Sequence, residues 1–230
     1  MNDYNSALVA RINLNENQPF GKIGMIKIHN FARGARGQRV MWQCEEMGLP
    51  YIVENHPFPV DAGYRALNSL GTVPFLEDTG GVAINESVAM MLYVAQKYGP
   101  TSLLPTADDA LMARVFQLTL FGETEIGMNL NPLLAARFMA PEKDKRNWSV
   151  LGLEQRIDRA VHFTATLVRD GSYLVGESLT LADISVSCGL GIWQGALAGT
   201  LPEALDAYQK RLRARPAYQR ARARCVGEGN

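Results

Sequence analysis

The spacing of apolar positions changes near the middle of the chain, from short runs to longer helical patterns. The stretch "MIKIHN", which begins at Met25, predicts a short strand, and "PYIVEN" predicts a second one. Between them, Val40, Cys44 and Met47 are spaced i, i+4 and i+7, which predicts a helix that ends at Gly48. Together these elements predict a β-α-β unit.

The next segment predicts an antiparallel hairpin and a further helix. A short helical stretch, "RALNSLG", precedes "VPFLED" and "VAIN", which are strand patterns on either side of a Gly-rich turn. In "ESVAMMLYVAQKYG" the residues Val88, Met91, Leu92 and Ala95 share one helix face. Residues 25 to 99 therefore predict a mixed α/β domain with the element order β-α-β-α-β-β-α.

The rest of the chain predicts a linker and then an all-helical domain over residues 107 to 230. The stretch "PTSLLPT", residues 100 to 106, has two prolines and no periodicity, which is typical of a linker. Helical patterns cover residues 107 to 140, 146 to 169, 180 to 197 and about 202 to 213, with breaks at Pro141, Gly171, Pro202 and Pro216. The six arginines of "RLRARPAYQRARAR" predict a solvated helical face followed by a frayed end.

Composition narrows the possible functions. Lys and Arg together number 23, as do Asp and Glu, so the chain lacks the global positive charge that non-specific nucleic-acid binders use. The three cysteines are far apart and form no C-x-x-C motif, so we expect no disulfide framework and no metal site. The first 24 residues show no periodicity and no signal-peptide core, which predicts an N-terminal extension. The cysteine pattern fits a reducing cytoplasm, where we expect the protein to be located, and no run of 18 apolar residues predicts a membrane span.

Four segments resemble the cytosolic glutathione S-transferase family, in the same order along the chain. They are "NSLGTVPFLED", "INESVAMMLYV", "GSYLVGESLTLADISVS" and "RPAYQRA", and the likeness covers about residues 25 to 224. In the third segment, Thr180 and Asp183 also predict a helix capping box. The resemblance implies a thioredoxin-like N-terminal domain, an all-helical second domain, a homodimer, and glutathione as co-substrate.

The resemblance and the physics of the same residues predict a glutathione site. In this family the bond that matches Val73-Pro74 is cis, and the Val73 backbone can then pair with an extended peptide like an added strand. Glu86 and Ser87 fall at a predicted helix N-terminus, where Ser87 and free amides favour a carboxylate and Glu86 can hold an ammonium. The predicted glutathione-binding residues are Gln38, Thr72, Val73, Pro74, Glu86 and Ser87.

The first turn, "HNFARGARGQR", departs from the family's pattern. The family normally offers a Tyr, Ser or Cys near the glutathione sulfur. By resemblance to many bacterial members, a serine is expected at the position that Gly37 occupies here. Positive charge and free N–H groups also favour a thiolate, so we predict Arg36 and Asn30 as the catalytic residues, with Arg33 as an alternative source of charge. His29 is interpreted either as a core residue or as a polar neighbour of the site.

The resemblance places the second substrate between the domains, against "FQLTLFGETEIGMNLNPLL". Phe121, Met128 and Asn129 are the predicted pocket residues. The predicted function is a glutathione-dependent transferase that activates the thiol for attack on a small apolar electrophile. The alternative is a non-catalytic binding or scaffold protein of the same family. The absence of a hydroxyl in the first turn favours this alternative, whereas the presence of the "VPFLED" and "NES" segments argues against it. Neither reading includes a nucleic-acid or membrane partner.

Overall fold

The computed structural model describes residues 25–31, 36–168 and 172–227 of the 230-residue chain. The predicted N-terminal extension, residues 1 to 24, lies outside the described residues, as do Arg33, Gly34 and Ala35 of the first turn. Within the described parts, no helix is both long enough and apolar enough to cross a lipid bilayer.

The first domain is a four-stranded mixed sheet with helices on both faces. The strands are β1 (Ile26–Phe31), β2 (Tyr51–His56), β3 (Phe75–Asp78) and β4 (Val82–Ile84), and the helices are α1 (Gly37–Met47), α2 (Ala62–Leu67) and α3 (Ser87–Tyr98). The strand order is β2-β1-β3-β4, with β1 parallel to β2 and antiparallel to β3, and with β3 antiparallel to β4. The predicted thioredoxin-like order β-α-β-α-β-β-α is confirmed.

The two faces of β1 have different neighbours, because successive side chains of a strand point to opposite faces. Ile26 and Ile28 are buried in the main core, which also contains Trp42 of α1. His29 lies on the other face, where its ring contacts the Tyr64 ring of α2 at a centroid distance of 5.6 Å. Helices α1 and α2 therefore cover opposite sides of the strand.

The regular elements of the second domain are all helical among its described residues. Its elements are α4 (Asp109–Phe121), a π-helical segment (Gly122–Gly127), α5 (Met128–Phe138), a short 3₁₀ turn (Glu142–Asp144), α6 (Trp148–Leu167), α7 (Leu181–Leu197), α8 (Glu203–Arg213) and α9 (Pro216–Val226). At the start of α7, the Asp183 carboxylate accepts a bond of 2.8 Å from the Thr180 amide, as the predicted capping box requires. One long helical pattern was expected over residues 107 to 140, and the π-helical segment divides it.

The C-terminal arginines do not form a solvated face with a frayed end, so that prediction is wrong. Helix α9 packs against α1 of the first domain. Arg215 binds the Glu46 carboxylate with two bonds of 2.7 and 2.8 Å, and Arg220 lies 2.6 Å from Glu45. The reason is charge pairing at a distance in sequence: Glu45 and Glu46 in the last turn of α1 provide acidic partners for these arginines.

Candidate functional site

A cleft of about 1160 Å³ lies between the two domains, next to the end of β1. In the first domain it is lined by Phe31, Arg36, Gln38, Arg39, Phe58 and Val73. The opposite wall comes from α5, α7, α8 and α9. Of the residues predicted from the sequence, Arg36, Gln38 and Val73 therefore lie on the cleft.

The Val73-Pro74 peptide bond is cis, as the sequence predicted. The turn before it is held from beneath, because the Thr72 carbonyl accepts bonds from the Tyr64 hydroxyl at 2.6 Å and from Asn68 Nδ2 at 2.9 Å. Pro74 is buried, whereas Val73 is half-buried and faces the cleft. The edge that the resemblance assigns to a peptide backbone is thus fixed in place by α2.

Glu86 and Ser87 mark the start of α3. Glu86 has a φ of 68°, a value that non-glycine residues rarely adopt because Cβ crowds the backbone. Such strained positions cluster at ligand sites, where the surrounding structure enforces them. The Glu86 side chain is exposed and lies close enough to Arg36 to oppose the lowering of the Arg36 pKa. Ser87 is only 4% exposed.

A buried arginine that sequence reasoning missed, Arg39, holds Ser87. Its Nη1 atom donates to Ser87 Oγ at 2.9 Å and also binds the Glu123 carboxylate of the π-helical segment. Its Nη2 atom donates to the carbonyls of Gly122 and Ser185, at 3.0 and 3.2 Å. Because Ser87 accepts from Arg39, its own hydroxyl proton remains available to a carboxylate ligand.

Arg36 shares Glu123 with Arg39. Arg36 Nε lies 3.4 Å from Glu123 Oε2, and Nη2 donates to the Gly127 carbonyl at 2.5 Å. Burial lowers the pKa of Arg36 and the Glu123 carboxylate opposes this shift. An arginine stays protonated at neutral pH even so. Two guanidinium cations and one carboxylate leave this group with a net charge of +1.

Asn30, predicted as a donor to the thiolate, is not among the residues that line the cleft. The side chain is fully buried on the α9 side of β1, where Nδ2 donates to the carbonyls of Phe31 at 2.8 Å and Cys225 at 3.4 Å. Asn30 Oδ1 lies directly beneath Gly37, since a Cβ atom added to Gly37 would approach it to 2.5 Å. Asn30 therefore fills the space that a side chain at position 37 would need.

Comparisons with known proteins agree with this geometry. Residues 35–97 match the model of the glutathione S-transferase N-terminal domain. Glutathione S-transferase 2 of Saccharomyces cerevisiae is 30% identical over 168 residues, which cover 68% of this chain and 70% of that protein. The chain belongs to the glutathione S-transferase family. This membership confirms the resemblance seen in the sequence.

Solved structures of family members superpose over most of the chain. A glutathione transferase from Methylococcus capsulatus is 26% identical with a TM-score of 0.75, and the match covers 88% of this chain and 98% of that one. A theta-class glutathione S-transferase from Xanthomonas axonopodis pv. citri, solved with glutathione bound, is 25% identical with a TM-score of 0.69 over 85% and 96% of the two chains. The thioredoxin-like domain followed by a helical domain is therefore the fold of this chain.

In this family member, the residues predicted for the second substrate are not among those that line the cleft. Phe121 packs on Phe163 with ring centroids 5.2 Å apart, and Met128 is 58% exposed. Asn129 is buried and donates to the carbonyl of Glu125, in the π-helical segment, at 2.8 Å. None of the three predicted residues lines the cleft, so they are not carried into the proposal below.

For Met128 and Asn129 the cause is the π-helical segment that precedes them. Its i→i+5 hydrogen bonds add a residue to the turn, so every residue beyond it is rotated relative to a regular α-helix. Phe121 lies before that segment, and its ring packs on Phe163. The cleft wall consists instead of Leu134, Phe138 and Met139 from the end of α5, Ile192 from α7, and Tyr218 and Arg222 from α9. The two glycines that bound "GETEIG" were the only signal in the sequence for this break.

Proposed function

We propose that this glutathione S-transferase family member binds glutathione along the Val73 edge and activates its thiol for attack on a small apolar electrophile. Glu86 would hold the ammonium of the peptide, and Ser87 its neighbouring carboxylate. Arg39 orients Ser87 for this contact from 2.9 Å away. Family membership and the glutathione-bound structure of a relative support the choice of ligand.

The observation that carries the proposal is the group formed by Arg36, Arg39 and Glu123. Its net charge of +1 lies beside the N-terminus of α1, which no side chain caps. Nearby arginine and a helix N-terminus both lower the pKa of a thiol from its free value of ~8.5. Gly37 offers no hydroxyl, so charge and backbone N–H groups stabilise the thiolate. The exposed Glu86 carboxylate is neutralised by the ammonium that it binds.

The test is the pKa of the bound glutathione thiol in the variant Arg36→Gln, measured by the ultraviolet absorbance of the thiolate. We expect the pKa to rise and turnover to fall most at low pH, because at high pH the thiol ionises unaided. Arg159→Gln, an exposed arginine of α6, serves as the matched control. An unchanged thiolate band in Arg36→Gln would assign the activation to another group, such as Arg33.

The cleft supports an apolar second substrate. Phe31, Phe58, Phe138 and Ile192 contribute apolar surface from both domains. A positioned thiolate facing such a surface can attack an electrophilic carbon of a bound apolar molecule. Turnover of an activated aryl chloride in the presence of glutathione tests this reaction class directly. A homodimer and a cytoplasmic location stay predictions, to be examined by light scattering in solution and by microscopy of the tagged protein in cells.

The second candidate is a binding or scaffold protein, which the absence of a hydroxyl at Gly37 favours. Calorimetric titration with glutathione separates the two. Heat of binding with no turnover of any electrophile, and with an unshifted thiol pKa, would support a binding protein. Neither heat nor a thermal shift at millimolar glutathione would support a scaffold that does not use this ligand.

A further inference from the structure

Two histidines and two glutamates meet on the α2 face of the sheet, outside the cleft. His29 lies in β1 with no exposed surface, and its Nδ1 atom is 2.8 Å from His56 Nε2 at the end of β2. The other ring nitrogen of His29, Nε2, is 2.7 Å from Glu77 Oε2. Glu54 approaches the same pair from β2. The two imidazoles stack on each other and pack against the Tyr64 ring, so they belong to the packing of this face as well.

We propose that His29 Nδ1, His56 Nε2 and the Glu54 carboxylate form a binding site for a divalent transition-metal ion such as Zn²⁺. Two imidazole nitrogens and one carboxylate are a ligand set that zinc takes in proteins, with a fourth position left for water. Their ligand atoms all lie within 4.8 Å of one another. The expectation from the cysteines, that this protein has no metal site, did not consider histidines brought together by the sheet.

The spacing of the three ligands fits a tetrahedral ion. Bond lengths of ~2.0–2.1 Å to nitrogen and oxygen place ligand atoms ~3.4 Å apart at the corners of a tetrahedron. The two imidazole nitrogens are 2.8 Å apart, Glu54 Oε1 lies 3.7 Å from His56 Nε2, and the second Glu54 oxygen, Oε2, lies 4.0 Å from His29 Nδ1. To hold an ion, the two rings would separate by roughly half an ångström and the carboxylate would turn one oxygen toward both of them.

Strand pairing produces the arrangement. In the parallel register His29 is opposite Glu54, and Phe31 is opposite His56. Glu54 and His56 are two residues apart, so their side chains share one face of β2. Glu77 belongs to β3 on the other side of β1, where its neighbour Leu76 pairs with Ile28. Three adjacent strands therefore bring the four side chains to one place.

Outer contacts fix the orientation of two of the ligands. Ligating histidines almost always donate their second ring N–H to a carboxylate or carbonyl, and Glu77 is placed to accept that bond from His29. Lys27 Nζ binds Glu54 Oε2 at 2.5 Å and leaves Oε1 directed at His56. Lys27, Glu54 and Glu77 together carry a net charge of −1, which favours a cation.

The site is also accessible from solvent. Glu54 has 45% of its side chain exposed, against 9% for His56 and none for His29, so an ion would enter from the Glu54 side.

Titration of the full, chelator-treated chain with ZnCl₂ in a calorimeter tests the proposal, with CoCl₂ absorption as a report on geometry. We expect one ion per chain and the visible bands of tetrahedral Co²⁺. His56→Gln and Glu54→Gln should each weaken zinc binding at least tenfold, and Glu77→Gln by ~10–100-fold through loss of orientation. The chain has three histidines, so His162→Gln is the matched control; that ring only contacts the Asp158 carbonyl of α6.

Glu54→Gln changes an exposed side chain and keeps the test valid if a histidine variant fails to fold. Circular dichroism and thermal unfolding without metal verify that each variant is folded. The proposal is overturned if the wild-type chain binds no zinc at millimolar concentration. It is also overturned if zinc affinity survives in both His56→Gln and Glu54→Gln, or if the Co²⁺ spectrum shows thiolate charge-transfer bands, which would assign the ion to cysteine.

Discussion

The two walls of the cleft are built in opposite ways. The wall that we propose for glutathione, here called the glutathione wall, consists of short contiguous segments: residues 36–39, 72–74 and 86–87 of the first domain, of which Arg36, Gln38, Arg39 and Val73 line the cleft. The opposite wall draws single side chains from α5, α7, α8 and α9, spread over nearly a hundred residues. In a contiguous segment the relative positions of the contacting groups are set by the local backbone. In a dispersed wall the relative positions of the side chains are set by how the helices pack. The first wall can therefore be read from sequence motifs and the second cannot.

Arg39 joins the two walls, so its removal should have the largest effect. We expect Arg39→Met to lower the free energy of unfolding by ~3–5 kcal/mol, because two buried carbonyls and Ser87 lose their donor and the Glu123 carboxylate keeps only Arg36. Glutathione affinity should fall as well, since Ser87 loses its support. Urea unfolding measures the first effect and calorimetry the second.

Arg159→Met on the surface of α6 is the control for Arg39→Met and should leave both quantities nearly unchanged. If Arg39→Met unfolds like the wild type, the walls are held together by apolar packing alone.

Ser87→Ala separates the glutathione wall from the fold. The substitution removes one hydroxyl, so we expect glutathione binding to weaken by ~1–3 kcal/mol through loss of a charge-assisted bond, with little change in the unfolding midpoint. Calorimetric titration checks it, with Ser149→Ala, an exposed serine of α6, for comparison. Equal dissociation constants for both variants would remove Ser87 from the glutathione site.

Gly37→Ser tests whether the missing hydroxyl can simply be restored. The added Cβ would lie 2.5 Å from Asn30 Oδ1, so we expect a destabilisation of ~1–3 kcal/mol, as is typical of overpacking in a core. In the double variant, Asn30→Ala removes the atom that the new serine would contact. The drop in unfolding temperature should therefore be smaller than the sum of the drops in the two single variants. Strict additivity of the unfolding temperatures would mean that the two residues do not compete for space.

Arg220→Gln should have the smallest effect. Arg220 pairs with Glu45 at 2.6 Å, but 56% of its side chain is exposed, and such pairs contribute ~0.2–1 kcal/mol. Arg215 binds Glu46 with two bonds, so Arg215→Gln should lower the free energy of unfolding by more than Arg220→Gln does. Urea unfolding of both variants ranks the two contacts that hold α9 against the first domain. Because α9 contributes side chains to the dispersed wall, these contacts also hold that wall in place. The reverse order would contradict the importance given to the bidentate geometry.

The site was predicted where its signals are local and missed where they are not. The cis Val73-Pro74 bond was expected from the resemblance of "NSLGTVPFLED" to the family's segment, and the start of α3 near Ser87 from adjacent residues. The direction of the Asn30 amide stayed open, because an amide at the end of a strand has no preference for either face until the packing of α9 is known. Arg39 was overlooked because its carboxylate partner, Glu123, is 84 residues away in sequence.

The sequence by itself determined the order of elements, the division into a sheet domain and a helical domain, and the family. Those features depend on the periodicity of apolar residues and on turn residues, which act over a few positions of the chain. Only the tertiary structure decided which charges pair, which helix face lines the cleft beyond the π-helical segment, and that His29 meets His56. Partners of buried polar groups are selected when distant segments pack together, because each such group must find its hydrogen bonds in whatever neighbour the fold supplies.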